Sequence, residues 1–278
     1  MSKAVGSVQG KVVAITGGAR GIGFSTAQRL IADGARVAIG DIDEARLKEA
    51  VGELDITTYK HLDVTDPDSF EGFLDHVENE LGPIDVLVNN AGIMPIGSLH
   101  AEEDRVSRRM IEINVLGVIY GTKLALRRMV PRRSGHIINI ASLAGESYVP
   151  GAATYCASKH AVKGFTESTR REYRDSGVHL SQVQPFFTNT ELVAGTSGTK
   201  GLRNVEPEDV AAAVAALIVK PRPVARVSKV AGVLAVSQAF LPRAVTERLT
   251  RAMGTEETFT SAVDRSAREA YEERVRTN

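Results

Sequence analysis

The chain has 278 residues, of which 43% are apolar and 24% charged, with 34 basic side chains against 34 acidic ones and no formal net charge. This balance excludes a disordered or collagen-like chain and argues against a dedicated nucleic-acid binder, which needs a basic excess to neutralise phosphates. The single cysteine, Cys156, excludes an intramolecular disulfide and a cysteine-based zinc site and suits a reducing, cytoplasmic compartment.

In chain order, the opening residues MSKAVGSVQG lack the apolar stretch of a secretory leader. Residues 11–16 (KVVAIT) are a continuous apolar run, the pattern of a parallel strand buried on both faces. A glycine turn follows, with Gly17, Gly18, Gly21 and Gly23, and then a helical pattern over 24–32 that ends near Gly34. A strand over 36–40 is closed by Asp41. Helices near 44–53 and 67–80 alternate with strands near 57–61 and 85–88. A long helical stretch covers 102–130, followed by a strand at 136–141, a helix over 152–175 and a strand over 178–183. Pro207, Glu208 and Asp209 open a helix over 208–219, with Pro near its first position and acids in its first turn. Residues 224–228 read as a last strand, 229–253 as one or two amphipathic helices broken near Pro242, and 257–276 as a further, mostly polar helix. Strands alternating with helices predict βαβ crossovers and an α/β fold with a parallel sheet. No apolar run approaches the ~18 residues of a membrane span.

The glycine turn lies between a predicted strand and a predicted helix, the setting in which glycines let backbone N–H groups approach a pyrophosphate at a helix N-terminus. No Gly-Lys-Ser/Thr follows, which excludes a nucleoside-triphosphate loop. Asp41 closes the second strand, where a carboxylate accepts hydrogen bonds from the adenosine ribose and repels a 2′-phosphate, favouring NAD over NADP. Arg20, inside the turn, is the counter-signal, because a basic residue there pairs with a 2′-phosphate.

These residues resemble the short-chain dehydrogenase/reductase family over roughly residues 8–228. Thr16-Gly17-x-x-x-Gly21-Ile22-Gly23 matches its cofactor turn, Asp63-Val64 its adenine-contacting pair, and Asn89-Asn90-Ala91-Gly92 its strand-four motif. Asn114, Ser142, Tyr155 and Lys159 match its catalytic tetrad. The resemblance implies a Rossmann-type doubly wound sheet of about seven parallel strands over residues 1–228, a helical extension over 229–278, a nicotinamide cofactor, and alcohol–carbonyl redox chemistry. It also implies a homodimer or homotetramer built through the helices at 102–130 and 152–175.

Tyr155 and Lys159, four apart on a helix, share one face. An ammonium beside the phenol is expected to lower a pKa that is ordinarily about 10, making Tyr155 a general acid/base. Ser142, just past a strand, is placed to bind the substrate oxygen. In the family, Lys159 also holds the nicotinamide ribose and Asn114 a relay water. Asn90, Ala91 and Gly92 run beside the cofactor. Cys156 reads as an apolar filler, and the histidines show no shared metal-ligand spacing.

The family's Pro-Gly after the sixth strand is Pro185-Phe186 here, in the run Pro185-Phe186-Phe187-Thr188-Asn189-Thr190. If the family's backbone there is open only to glycine, this loop must differ. Thr188 and Thr190 still stand where the family contacts the carboxamide. Residues 186–206, with AGTSGTKG at 194–201, read as a flap over the substrate. Met94, Leu143, Tyr148, Phe186, Phe187 and Leu192 border the expected pocket with no basic residue among them, implying a small hydrophobic secondary alcohol or ketone. Residues 220–251 carry seven basic side chains against Glu247, a balance of +6, and are a candidate surface for an anionic membrane. The reading is an NAD-dependent oxidoreductase. The alternatives are an NADP-dependent carbonyl reductase and a non-catalytic dinucleotide-binding regulator.

Overall fold

The computed structural model describes residues 7–196, 198–199, 201–237, 240–252, 254, 258–260 and 263–277. Seven strands form one parallel sheet: β1 (Val12–Thr16), β2 (Arg36–Asp41), β3 (Tyr59–His61), β4 (Val86–Asn89), β5 (Gly135–Ile140), β6 (Val178–Pro185) and β7 (Val224–Val227). Their order is β3-β2-β1-β4-β5-β6-β7, with every neighbouring pair parallel. This is the Rossmann-type arrangement the alternation of elements implies.

Strand β1 is buried throughout because its side chains serve two cores in turn. Val13 and Ile15 pack with Ala27 and Leu30 of α1 (Gly21–Ala32), Leu47 and Ala50 of α2 (Glu44–Leu54), and Val210 and Val214 of α7 (Pro207–Val219). Val12 and Ala14 pack on the other face with Phe70, Phe73 and Leu74 of α3 (Pro67–Leu81) and Leu124 of α5 (Gly117–Met129). Helix α6 (Ala153–Glu172) lies beside α5, Val162 meeting Val118 and Ala141. Helices α2 and α7 start at oxygen caps. The Asp43 carboxylate accepts the Arg46 N–H at 3.0 Å, and Glu206 with Asp209 forms a capping box at α7.

The continuous helix expected over 102–130 is not continuous. Helix α4 (Asp104–Ile111) widens into a π-turn at Glu112–Leu116 before α5 begins. Asn114 sits inside that turn, consistent with an asparagine side chain competing for backbone partners and with the habit of π-turns to mark functional positions.

Beyond β7 the chain breaks near Pro242, as expected, into α8 (Lys229–Ser237) and α9 (Arg243–Ala252). The last helix, α10 (Arg265–Thr277), starts later than position 257, and residues 257 and 261–262 of that expectation lie outside the described residues. Helix α8 turns Ala231 and Ala235 onto Leu143 and leaves Val230 and Val233 exposed. Arg226, one of the seven basic residues in this region, lies 3.5 Å from Glu146. No described helix is long and apolar enough to cross a membrane.

One buried titratable group sits inside the sheet. Ser181 on β6 donates its proton to the Arg222 carbonyl at 2.6 Å, so the His136 ring on β5, 2.8 Å from the same oxygen, must donate from Nε2. His136 Nδ1 has no partner among the described residues, and burial, with His179 5.9 Å away, pushes its pKa down to about 3. The folded pKa is depressed, so stability is whole above the unfolded value near 6.5 and is lost as pH falls toward 3. Urea titrations from pH 7 to 4 are expected to show a steeper stability loss for the wild type than for His136→Gln, by up to about 1.4 kcal/mol per pH unit. Parallel slopes would contradict this account.

Candidate active site

The glycine turn is built by close approach. Gly17 has φ 63°, and a Cβ on it would stand 2.9 Å from Ala91 Cα. A Cβ on Gly23 would stand 2.1 Å from the Gly17 carbonyl oxygen, so α1 leaves β1 with no room for a side chain. The next loop braces the turn. Asn90 Nδ2 donates to the Thr16 and Gly17 carbonyls at 3.0 and 2.9 Å, while the Thr16 hydroxyl accepts the N–H groups of Asn90 and Ala91, each at 3.0 Å. Asn90 thus supports the turn from below. No side chain caps α1 and no acid lies in its first turn, so the positive end of the helix is open.

At the end of β2 stand two carboxylates rather than one. Asp41 accepts the N–H of Ala19 at 3.1 Å and of Asp43 at 3.2 Å, while burial raises its pKa against these bonds. Asp43, which the sequence reading passed over, pairs with Arg20 at 2.8 Å, and Arg20 also lies 3.8 Å from Glu191. The one basic side chain of the glycine turn is therefore already engaged by two acids. Asp63 binds its own loop through the Thr65 N–H and hydroxyl, at 2.9 and 2.7 Å, which leaves Val64 at the cavity wall.

Ser142 follows β5, and its hydroxyl accepts the Ala144 N–H at 3.0 Å and stands near enough to the Tyr155 phenol to lower its pKa against burial. Tyr155 and Lys159 lie buried on one face of α6. The expected lowering of the Tyr155 pKa by Lys159 is not what the structure shows. Lys159 Nζ donates to the Ile140 carbonyl at 3.0 Å and stands 5.7 Å from the centre of the Tyr155 ring. Burial dominates both groups, pushing the phenol well above its ordinary range and the ammonium down to about 8. Asn114 clamps the backbone after β4: Oδ1 accepts the Ile93 N–H and Nδ2 donates to the Ile93 carbonyl, both at 2.9 Å, and Nδ2 also reaches Ser158 Oγ at 3.1 Å. Cys156, beside Tyr155, is a buried apolar filler whose thiol burial pushes up.

Of the residues singled out from the sequence, Thr16, Gly18, Gly23, Asn89, Asn114 and Cys156 do not line the shared cavity of about 370 Å³ that those assigned to cofactor, substrate and catalysis otherwise form, Gly23 and Asn114 standing directly behind its wall. Phe186 adopts no left-handed backbone, so the loop needs no glycine there. Its ring stands edge-on to Phe187 at 4.8 Å, and Phe187 meets Phe259 at 5.2 Å. Thr188 bridges to Val205 and hydrogen-bonds the Phe186 carbonyl, and Thr190 lies 3.2 Å from where a Gly21 Cβ would be. Tyr148 is 79% exposed at the rim, stacked on His160. Residues Ser197 and Lys200 of the expected flap lie outside the described residues.

Arg109 of α4 and Arg274 of α10, which the sequence reading did not name, also line the cavity. Helix α10 was missed altogether as a wall of the site. Tyr271, Arg274 and Val275 line the cavity, and Arg274 pairs with Glu191, the residue next to Arg20. Nothing in the spacing of a polar C-terminal helix signals where it docks.

A family model described as short chain dehydrogenase matches residues 11–200. An uncharacterized oxidoreductase of Staphylococcus saprophyticus is 39% identical over 191 residues, covering 67% of this chain and 77% of the relative. A 3-alpha-(or 20-beta)-hydroxysteroid dehydrogenase of Mycobacterium tuberculosis is 36% identical, covering 67% of this chain and 72% of the relative. A cis-4-hydroxycyclohexanecarboxylate dehydrogenase of Sinomonas cyclohexanicum is 37% identical, covering 74% and 88%.

The buried ammonium has a measurable signature in the cofactor-free protein. Lys159 releases its proton near 8 when folded and near 10.5 when unfolded, so between these values the unfolded chain holds more protons and stability rises with pH. Lys159→Met is expected to lose this rise, worth about 2 kcal/mol, when unfolding free energies from urea titrations at pH 7.5 and 9.5 are compared with the wild type. An unchanged pH difference would contradict the burial argument.

Proposed function

Because the chain belongs to the short-chain dehydrogenase/reductase family, we propose that it moves a hydride between NAD(H) and a hydrophobic secondary alcohol or ketone. The observation that carries this reading is the Ser142 hydroxyl beside the buried Tyr155 phenol at one end of a cavity whose other end is the glycine turn. Nicotinamide dinucleotide, when bound, supplies or accepts the hydride.

The fit to that cofactor rests on the chain's own groups. The turn from Gly17 to Gly23 offers a close, side-chain-free approach and an open helix end for the pyrophosphate. Asp41 receives the adenosine ribose, since each of its oxygens accepts one backbone N–H and keeps a further lone pair. Lys159 serves the nicotinamide ribose, and Thr188 and Thr190 the carboxamide. The preference for NAD is supported by two carboxylates where a 2′-phosphate would sit, and by Arg20 being held by Asp43.

Ser142 and Tyr155 hold the substrate oxygen between two hydroxyls. Burial keeps Tyr155 protonated, ready to donate to a forming alkoxide. In the oxidative direction the phenol must first give up that proton, so oxidation is expected to accelerate as pH rises. Lys159, titrating near 8, is the adjacent group able to pass the proton onward. The largely apolar wall of Met94, Leu143, Phe186, Phe187 and Leu192 supports a hydrophobic substrate. Relatives named for hydroxysteroids and for a hydroxylated cyclohexane ring extend the reading toward cyclic alcohols.

A screen of steroid, lipid and aliphatic alcohols with NAD, read as NADH formation, tests the reading. Tyr155→Phe is expected to lower kcat by about 10²–10⁴-fold; undiminished turnover would overturn the mechanism. NADH fluorescence titration is expected to give at least about tenfold tighter binding than NADPH, with Asp41→Ala narrowing the gap. Equal affinities in the wild type would overturn the cofactor assignment.

A further inference from the structure

Helix α10 is not a passive covering. Arg268 is fully buried and spends its guanidinium on main-chain oxygens from two separate loops. Nη1 donates to the carbonyls of Leu192 at 2.7 Å and Ala194 at 3.0 Å, and Nη2 to that of Met94 at 2.9 Å. Its charge is balanced by Glu272 at 3.2 Å. The start of the helix is equally close: Asp264 donates its N–H to the Gly195 carbonyl at 2.8 Å, and a Cβ on Gly195 would stand 2.2 Å from the Asp264 carbonyl oxygen. The loop after β4 and the segment after Thr190 are the two walls of the substrate cavity, and Arg268 ties them to one helix.

That helix delivers one buried hydroxyl to the same cavity. Tyr271 Oη accepts the Met94 N–H at 2.7 Å, and its ring lies between the guanidiniums of Arg268 and Arg274 at 5.2 and 5.8 Å. Its own O–H finds no acceptor among the described residues. Met94, Phe187, Leu192 and Phe259, all apolar, line the same cavity. A buried donor without an acceptor is costly, and in a ligand cavity it identifies where an oxygen of the ligand belongs. That oxygen is neutral, because Arg268 is balanced by Glu272 and Arg274 is paired with Glu191, which leaves no unmatched cation beside Tyr271 among the described residues for a carboxylate.

We propose that α10 completes the active site: Tyr271 is a specificity-determining residue that donates a hydrogen bond to a second, neutral oxygen of the substrate, keto or hydroxyl, remote from the reacting carbon, and Arg268 is the residue that positions it. The proposal rests on the oxidoreductase reading above and names the substrate class more narrowly, as a hydrophobic alcohol or ketone with a second oxygen function.

The test compares two steroids that share a skeleton, androstanol with one hydroxyl and androsterone with a hydroxyl and a distant keto group. The wild type is expected to favour androsterone by at least about tenfold in kcat/KM, as sites built to hydrogen-bond a group reject the analogue lacking it. In Tyr271→Phe the preference should collapse to below about threefold, the loss appearing as a raised KM for androsterone. Arg268→Lys, whose single ammonium cannot span carbonyls from two loops, should lower the same preference while NADH still binds. An undiminished preference in Tyr271→Phe, or equal kcat/KM for the two steroids in the wild type, would overturn the proposal, and the second measurement needs no variant to fold. Turnover of simple alcohols with neither steroid would overturn it as well. Failure of the reading beneath it looks different: no alcohol of any kind would yield NADH, or Tyr155→Phe would turn over normally.

Discussion

Seven parallel strands all finish at one edge of the sheet, and the loops that leave this edge carry backbone groups the sheet cannot pair. A buried backbone donor or acceptor needs a partner, and the site depends on where those partners come from. Here they are side chains. Thr16 and Asn90 satisfy the ends of β1 and β4 together, Asn114 pairs with both groups of Ile93, and Lys159 takes the Ile140 carbonyl. The residues that would be picked out as chemical are thus also the ones that hold the loops. Further inside, Asn89 donates to Asn139, and Asn139 to Thr166, a polar chain that locks β4, β5 and α6 in one register.

Burial sets the electrostatic state of the resting site. It drives the Tyr155 phenol up and the Lys159 ammonium down, so each is pushed toward its neutral form. At the opposite end the balance differs. Asp41 is held against its burial by two backbone N–H groups, and Asp43 captures Arg20. The cavity therefore runs from an acidic end at β2 to a hydroxyl-bearing end at α6 beside the Lys159 ammonium, with an apolar wall between them.

The core of the fold was readable because parallel strands buried on both faces advertise themselves as unbroken apolar runs, as in Val12–Thr16. The glycine turn was readable because Gly17 and Gly23 stand where no side chain fits. The π-turn at Asn114 was not, since one residue of extra helical slack leaves the apolar spacing of 102–130 almost unaltered. The Tyr155–Lys159 pair was found, but its electrostatics were misjudged, because helical spacing reports that two groups share a face and says nothing of how deeply they are buried. Helix α10 escaped for a simpler reason. Arg268, Tyr271 and Arg274 lie in a strongly charged segment that reads as a solvated surface, and only their distant partners at 94 and 191–194 reveal that they face inward.

The grip of Arg268 has an evolutionary consequence. It holds Met94, Leu192 and Ala194 by their carbonyl oxygens, which every amino acid possesses, and ignores their side chains. The hold on the two loops therefore does not depend on the side chains at these positions. They can change in size and polarity while the frame around them stays closed, so the lineage is free to retune which molecules it accepts without first having to relearn how to fold its own entrance.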